Sequence, residues 1–505
     1  MKYLSHKILY VVFSMLALTS CNDMLDTKNY TDIAPSNFFK TQGDIDAAVT
    51  GLYLPLTTNW GYSDGGTGKW WNSLYNVDMN AYFPAGMVTT DIMRTYSSHV
   101  YEEFNVGPSS GGAIESTYNV MRFVARATDV INQIENSSYS NQAIKERYVA
   151  ECKTLRAHYM YVLYDWFGPV NVKLNSETLM DNTPLPRPSK EEYVGYIEQD
   201  LNDAIASSAF PDKYNDDADN WGRMSKSIAY AVLMRIYMHE KNWQKAKDAC
   251  EKLMGMGFEL LPNYEDVFNQ GRNNEVIFSV PSNTTSDNFY VTEVLPGDFK
   301  RGYNHEGWSY IRGTEDYAFP GWQSYCMRWD YYDTFEDKDV RKKSILCEYD
   351  NQDGKRINRS TGMVGAIPLK FTDTQFANYG IQKAQPIIRY AEVLLSYAEA
   401  ENELNGPTAH AVNAVKQITS RANVEIPVSA TSSKDAFRDY ILFERGHELY
   451  CEGERRTDLI RHGKLIKFAQ KRGLNAKDYQ VLFPIPQFVI TEAGGVVEQN
   501  AGYTN

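Results

Sequence analysis

Cys152-Lys153-Thr154-Leu155-Arg156-Ala157-His158-Tyr159-Met160-Tyr161-Val162-Leu163-Tyr164-Asp165-Trp166-Phe167-Gly168-Pro169 is the run on which the fold turns. Cys152, Leu155, Tyr159, Val162, Leu163 and Trp166 recur at helical steps and so share one face, which predicts an amphipathic helix over 147–167. Gly168-Pro169 ends it, because neither residue continues a helix. The same period runs outward along the chain. Ile228, Val232 and Ile236 face Trp243, Ala246, Cys250 and Leu253 across Lys241-Asn242, which predicts a helical hairpin. A third pair is expected over 387–404 and 410–422 with Gly406-Pro407 between them, and a fourth over 437–450 and 456–468.

The expected fold is therefore mostly α. Paired helices with Ala and aromatic residues at their contacts resemble tetratricopeptide units, although no clean 34-residue period emerges. Between about 255 and 385 the character changes to Gly, Pro, Asn and aromatics with short strand-like runs such as Glu275-Val276-Ile277-Phe278-Ser279-Val280. That reads as an irregular, loop-rich insertion on a rigid scaffold, where function usually sits.

The composition narrows the function. A chain of 505 residues, 43% hydrophobic and 23% charged, has the makeup of a globular protein with a large core. Its net charge of -13 repels phosphate backbones and anionic lipid surfaces, which argues against nucleic acid as a partner. The 36 tyrosines, beside 22 Phe and 9 Trp, are a surplus of flat rings with polar handles, suited to a surface that grips something.

Residues 1–20 read as a secretory signal: Lys2 and Lys7, an apolar run from Ile8 to Leu18, then Thr19-Ser20 before Cys21. The run is too short for a stable membrane-spanning helix. Small residues leading to Cys21 resemble a bacterial lipobox, which implies acylation of Cys21 and a lipidated tether over 21–40, with a single helical domain over 41–505. Removing the signal takes away two lysines and no acid, so the mature chain is more acidic still. The other cysteines, Cys152, Cys250, Cys326, Cys347 and Cys451, are scattered and odd in number, so no disulfide framework is expected.

Catalytic patterns fail when tested. His447-Glu448 opens like a zinc-protease helix, but Cys451 stands where the second His belongs. Phosphate-binding loops and Cys-x-x-Cys pairs are missing. Asp212, Asp216, Asp217 and Asp219 crowd one loop without calcium-loop spacing, so they read as a solvated acidic turn. A glycosidase needs only two facing carboxylates, and among 64 acids nothing singles out a pair. No metal or cofactor is expected.

Several motifs then point one way. Pro386-Ile387-Ile388-Arg389-Tyr390-Ala391-Glu392 leads to Tyr397-Ala398-Glu399-Ala400. Glu444-Arg445-Gly446-His447-Glu448-Leu449 and Glu452-Gly453-Glu454-Arg455-Arg456-Thr457-Asp458-Leu459-Ile460-Arg461 follow, then Phe483-Pro484-Ile485-Pro486 and Gln499-Asn500-Ala501-Gly502-Tyr503. With Arg156-Ala157-His158-Tyr159 and Phe167-Gly168-Pro169-Val170 upstream, the chain resembles the SusD/RagB family, surface glycan-binding lipoproteins of Bacteroidetes. The resemblance implies four tetratricopeptide-like helix pairs, a variable glycan-binding face and no catalysis. It also implies a SusC-like TonB-dependent transporter as partner, at the outer-membrane cell surface. Arg389, Glu399, Glu448, Arg455 and Arg456 are expected to make ion pairs between packed helices.

In that family the glycan site comes from two segments, here Asn59 to Asp91 and Arg301 to Tyr332, which hold six of the nine tryptophans. A sugar presents an apolar C–H face and a rim of hydroxyls. Stacking on an aromatic face contributes roughly 1 to 3 kcal/mol as a ceiling borrowed from nucleobases. Trp70, Trp71 and Trp308 are the first candidates because Gly and polar residues surround them, followed by Trp60, Tyr82, Tyr310 and Trp322. Asp64, Asn72, Asp91 and Arg312 are candidate hydroxyl partners, whereas Trp329 reads as core. A surface glycoside hydrolase and an envelope scaffold lipoprotein stay open as alternatives on the residues alone. If Cys21 carries the lipid, Cys21→Ser releases the protein from the membrane fraction, since a multiply acylated Cys supplies the burial that stable attachment needs. Cell fractionation checks this, and a variant that stays with the outer membrane refutes it.

Overall fold

The computed structural model describes residues 39–58, 61–63, 70–282, 290–300, 304–305, 308–309, 321–371 and 384–504. The signal segment, Cys21 and the tether as far as residue 38 lie outside them. About half of the structure is helical, and the sheets among the described residues are all two-stranded. No helix among these residues is long and apolar enough to cross a membrane.

The helices that carry the architecture are α1 (Gln42–Thr50), α2 (Met121–Glu135), α3 (Gln142–Phe167), α4 (Lys190–Ala206), α5 (Lys226–His239), α6 (Trp243–Met254), α7 (Tyr390–Asn405), α8 (Ala409–Arg421), α9 (Lys434–Glu448) and α10 (Arg455–Arg461). Consecutive helices pack on one another from α2 to α6, then α6 packs on α7 and α7 on α8 and α9. Their ends follow local chemistry. Asn141 caps α3 by accepting from the Ile144 N–H at 3.1 Å, and Gly168, at φ 70°, stops it. Phe39 is already buried and Thr41 closes a capping box with Asp44, so the body starts just before α1.

Two expectations shift. The helix expected from Ile387 begins only at Tyr390, because Gln385–Arg389 is a strand paired antiparallel with Val276–Val280. That ladder joins the two ends of the loop-rich insertion and hands the chain back to the helices. The helix expected over 456–468 is two, Arg455–Arg461 and Leu465–Lys471, parted by Gly463 at φ 63°.

One apolar core runs through the helices and under the insertion, and it contains an unusual density of charge. The Arg389 guanidinium, wholly buried, donates to both oxygens of Glu452 at 2.7 and 2.8 Å, to Glu448 at 2.6 Å and to Glu275 at 2.8 Å. Arg421 reaches Glu275 and Glu448, and Arg341 bridges Asp339, Glu444 and Glu448. Lys370 adds its ammonium to Glu452 and to the carbonyls of Glu448 and Tyr450. Farther along, Arg461 holds Glu399 and Asp458, and Arg445 holds Asp458. Arg455 pairs with Asp91. Arg456 is the exception to the expected ion pairs: it donates to the Val481 carbonyl and lies 4.5 Å over the Phe483 ring.

Gly446 lies within α9 because a Cβ there would stand 2.1 Å from the Tyr331 hydroxyl and 2.9 Å from Arg455 Nη1. The missing side chain is what lets this guanidinium pass the helix.

Burial by itself would raise the carboxyl pKa values of Glu399, Glu448, Glu452 and Asp458, but the surrounding cations outweigh it and hold all four below their usual range. Groups so depressed stabilise the fold fully above their unfolded pKa, and that contribution is lost as pH falls through the folded value. Denaturation midpoints should therefore drop steeply below about pH 4, where the unfolded carboxyls begin to take up protons. Arg389→Met, which keeps the apolar stem and takes one cation from each of three buried carboxylates, should cost about 3 to 5 kcal/mol in urea unfolding at neutral pH. A loss under about 1 kcal/mol would show that the cluster is not held as described.

Candidate functional site

The two tryptophan-rich segments meet. Met93–Thr95 pairs antiparallel with Tyr325–Met327, Arg328 N–H donates to the Ile92 carbonyl at 2.8 Å, and the buried Tyr325 hydroxyl donates to the Val77 carbonyl at 3.3 Å. Three connections of this kind fix the stretch after residue 321 against the stretch from 77 to 95. Helix Tyr290–Val294 supports the junction from the other side: its Thr292 and Glu293 carbonyls accept from the Trp322 and Ser324 N–H groups, each at 2.7 Å.

Above this junction the first segment forms a small hairpin, Tyr62–Ser63 paired with Trp70–Trp71. Gly61 makes it possible. At φ 135° it crosses so close to the backbone of Trp71 that a Cβ would lie 2.1 Å from the Trp71 carbonyl oxygen. A second hairpin, Asn304–His305 with Trp308–Ser309, belongs to the other segment. Trp70 and Trp308 are thus strand residues of two short hairpins. Trp60, Asp64, Tyr310 and Arg312 lie outside the described residues.

The remaining candidates divide by environment. Trp322 is 45% exposed, on a backbone clamped to the Tyr290–Val294 helix. Trp71 is 4% exposed and packs into the core, with the Arg122 guanidinium 5.9 Å from its ring centre. Tyr82 also faces inward, its ring 5.1 Å from Trp166 and its hydroxyl donating to Asp165 at 3.2 Å. Asp91 accepts both Nε and Nη2 of Arg455, at 2.9 and 2.8 Å. Asn72 is half-buried; its backbone N–H donates to Ser116 and its side-chain amide to Asp78 at 3.4 Å. Trp329, read as core, is half-buried and donates its indole N–H to the Met363 carbonyl.

Asp78 was passed over in the sequence because an acid between Val77 and Met79 carries no local signal. In the fold it stands at the junction, accepting from Asn72 and from the Asn80 N–H at 2.8 Å. Nearby, burial pushes the Glu293 carboxyl up to about 7, and the charge of Asp78 adds to the effect. The junction therefore offers an exposed indole, an acceptor-rich turn and amide groups. These suit a ligand with a flat apolar face and hydroxyls at its rim.

Comparison with known proteins gives the same architecture. Residues 347–503 match the sequence model of the SusD family, and residues 23–238 match a related model described as starch-binding, associating with outer membrane. "SusD-like protein P25" of Formosa agariphila is 24% identical over 521 residues, 95% of each chain. Among solved structures, surface glycan-binding protein A from Bacteroides uniformis superposes with a TM-score of 0.74 at 21% identity, over 91% of this chain and 100% of that one. Surface glycan-binding protein A from Bacteroides thetaiotaomicron in complex with laminarihexaose superposes with a TM-score of 0.71 at 19% identity, over 91% and 99%. With matches at both ends of the chain, a helical scaffold of this design and the motif set around Arg389, Glu448 and Arg455, the chain belongs to the SusD/RagB family.

Proposed function

We propose that this protein is a cell-surface glycan-binding lipoprotein that captures oligosaccharides and passes them to a SusC-like TonB-dependent transporter for import, and that it is not an enzyme. The observation that carries the reading is the exposed Trp322 at the junction of two tryptophan-bearing segments, each built on a short hairpin. Support comes from relatives whose descriptions name starch binding and a laminarihexaose complex. In this reading Trp70, Trp308 and Trp322 supply stacking faces, with Asn72 beside them as a hydroxyl partner. Trp60, Tyr310, Asp64 and Arg312 extend the same face. Trp71, Tyr82 and Asp91 hold it from beneath.

The lipid on Cys21 and the tether over 21–40 would keep the protein at the outer membrane. Confinement there raises the effective concentration of receptor and transporter. Two or three stacked rings give micromolar to millimolar affinity once ordering costs are counted, which suits capture followed by release.

Isothermal titration of a panel of neutral glucans, starch oligosaccharides and laminarihexaose among them, tests the face. Trp70→Ala, Trp308→Ala and Trp322→Ala should each weaken binding several-fold without moving the melting temperature. Trp71→Ala should instead lose about 3 to 5 kcal/mol of stability as a cavity opens. Affinity that survives all three of these changes would refute the assignment, and accumulation of shortened glycans would favour a hydrolase.

The partner has its own check: a large outer-membrane barrel protein should co-purify after mild detergent extraction. Its consistent absence from such preparations would count against the transporter.

A further inference from the structure

A hollow with no tryptophan among its described lining residues borders the junction at Asp91. It is an open groove of about 460 Å³ between the end of α9, the start of α10, the turn after Trp329 and the short helix Leu465–Lys471. The volume is in the range of small-molecule sites. The described structure has another hollow of about 320 Å³ over α3, but its cations are already used: Lys145 donates to the Glu135 and Ser137 carbonyls and Lys153 to Asp203.

The groove beside α9 differs in its charge balance. Arg455 is neutralised by Asp91 and Lys464 by Asp439. Lys471 and Arg472 line it too, and neither makes an ion pair among the described residues. Arg472 donates from Nη1 to the Thr90 carbonyl at 2.8 Å, while its Nε and Nη2, both shielded from solvent, find no acceptor among the described residues. Burial, then repulsion from Arg328, draws its pKa down to about 10, so it stays a cation at neutral pH. A half-buried guanidinium with one acceptor is costly, and an anion in the groove would relieve that cost through space. Against these two cations stands Asp330, exposed at the rim.

The other walls are of a different kind. Phe443 is 41% exposed and Phe468 is half-buried, so the groove has apolar faces. Asp91 and Asp439 have carboxylate lone pairs left over after their ion pairs, and these can accept hydroxyl hydrogens. Inorganic phosphate would gain nothing from the phenylalanines, and a neutral sugar could accept hydrogen bonds from Lys471 and Arg472 but would leave their charge uncompensated.

We infer that this groove binds an anionic sugar ring, its carboxylate or sulfate facing Arg472 and Lys471, its C–H face on Phe443 and its hydroxyls on the two aspartates. The inference rests on the glycan-binding reading and makes acidic polysaccharides part of the ligand class.

The test is titration of the soluble protein with short oligogalacturonides, with sulfated galactan oligosaccharides, with laminarihexaose and with inorganic phosphate. Arg472→Gln combined with Lys471→Gln should weaken binding of the acidic sugar about tenfold, in line with losing charged hydrogen bonds. Laminarihexaose affinity and the melting temperature should stay unchanged. Arg472→Lys should recover part of the loss, and added salt should weaken the acidic ligand selectively. Phe443→Ala should weaken it several-fold as well.

Binding of only one acidic series identifies carboxylate or sulfate as the anion. Equal sensitivity of inorganic phosphate to the double variant would reduce the groove to a plain anion site and overturn the proposal. Acidic sugars that do not bind, or bind the double variant as well as the parent, while neutral glucans bind and respond to Trp322→Ala, overturn the groove and leave the tryptophan face standing. If no glycan binds, neutral or acidic, both readings fall.

Discussion

Glu448 is the point from which the rest of the structure is held. Its carboxylate, wholly buried, takes guanidinium groups from Arg341, Arg389 and Arg421, and its carbonyl takes the Lys370 ammonium. These four cations come from four places: the turn after Asp339, the end of the Gln385–Arg389 strand, the end of α8, and the loop at 370. An ion pair of this kind adds less to net stability than its geometry suggests, because desolvation consumes most of the Coulomb energy. Its effect is on uniqueness. Any arrangement that separates one of these elements from Glu448 leaves a buried charge without a counter-charge, so competing packings of insertion on scaffold are penalised.

That constraint explains the division of labour in the molecule. The helices from α2 to α9 bury aliphatic and aromatic faces in one continuous core. The stretch between α6 and α7 contains mostly short elements, and its hold on the body comes from two sources. One is the charge cluster. The other is the ladder between Val276–Val280 and Gln385–Arg389, whose register ends at Arg389 itself. The insertion can therefore be irregular without being loosely attached.

The helical part was legible because it is written in local periodicity: the Cys152–Trp166 face, the breaks at Gly168-Pro169 and Gly406-Pro407, and the Lys241-Asn242 turn all stand where the residues place them. Ile387–Arg389 reads as the start of a helix because its partner strand lies more than a hundred residues upstream, and so short an apolar run has no period long enough to declare its state. Gly463 divides two short helices whose apolar residues look continuous on paper. At the candidate site, the abundance of Trp between Gly residues was visible. The direction of a ring was not: Trp71, amid Gly and polar neighbours in the sequence, packs into the core. Asp91 offered no hint that Arg455, far along the chain, would claim it. Arg472 and Phe443 belong to unremarkable stretches of charged helix, and only the fold sets them beside one another.

The ladder that closes the insertion has an evolutionary consequence. The chain leaves the scaffold after Val280 and returns at Gln385 through two paired strands, so whatever lies between them begins and ends at a fixed separation. Closing a longer excursion costs only slowly more entropy as it lengthens. The intervening hundred residues can then be exchanged or lengthened as a cassette while the base that seats them stays the same. Variation in that stretch leaves the ladder and the helices beneath it intact.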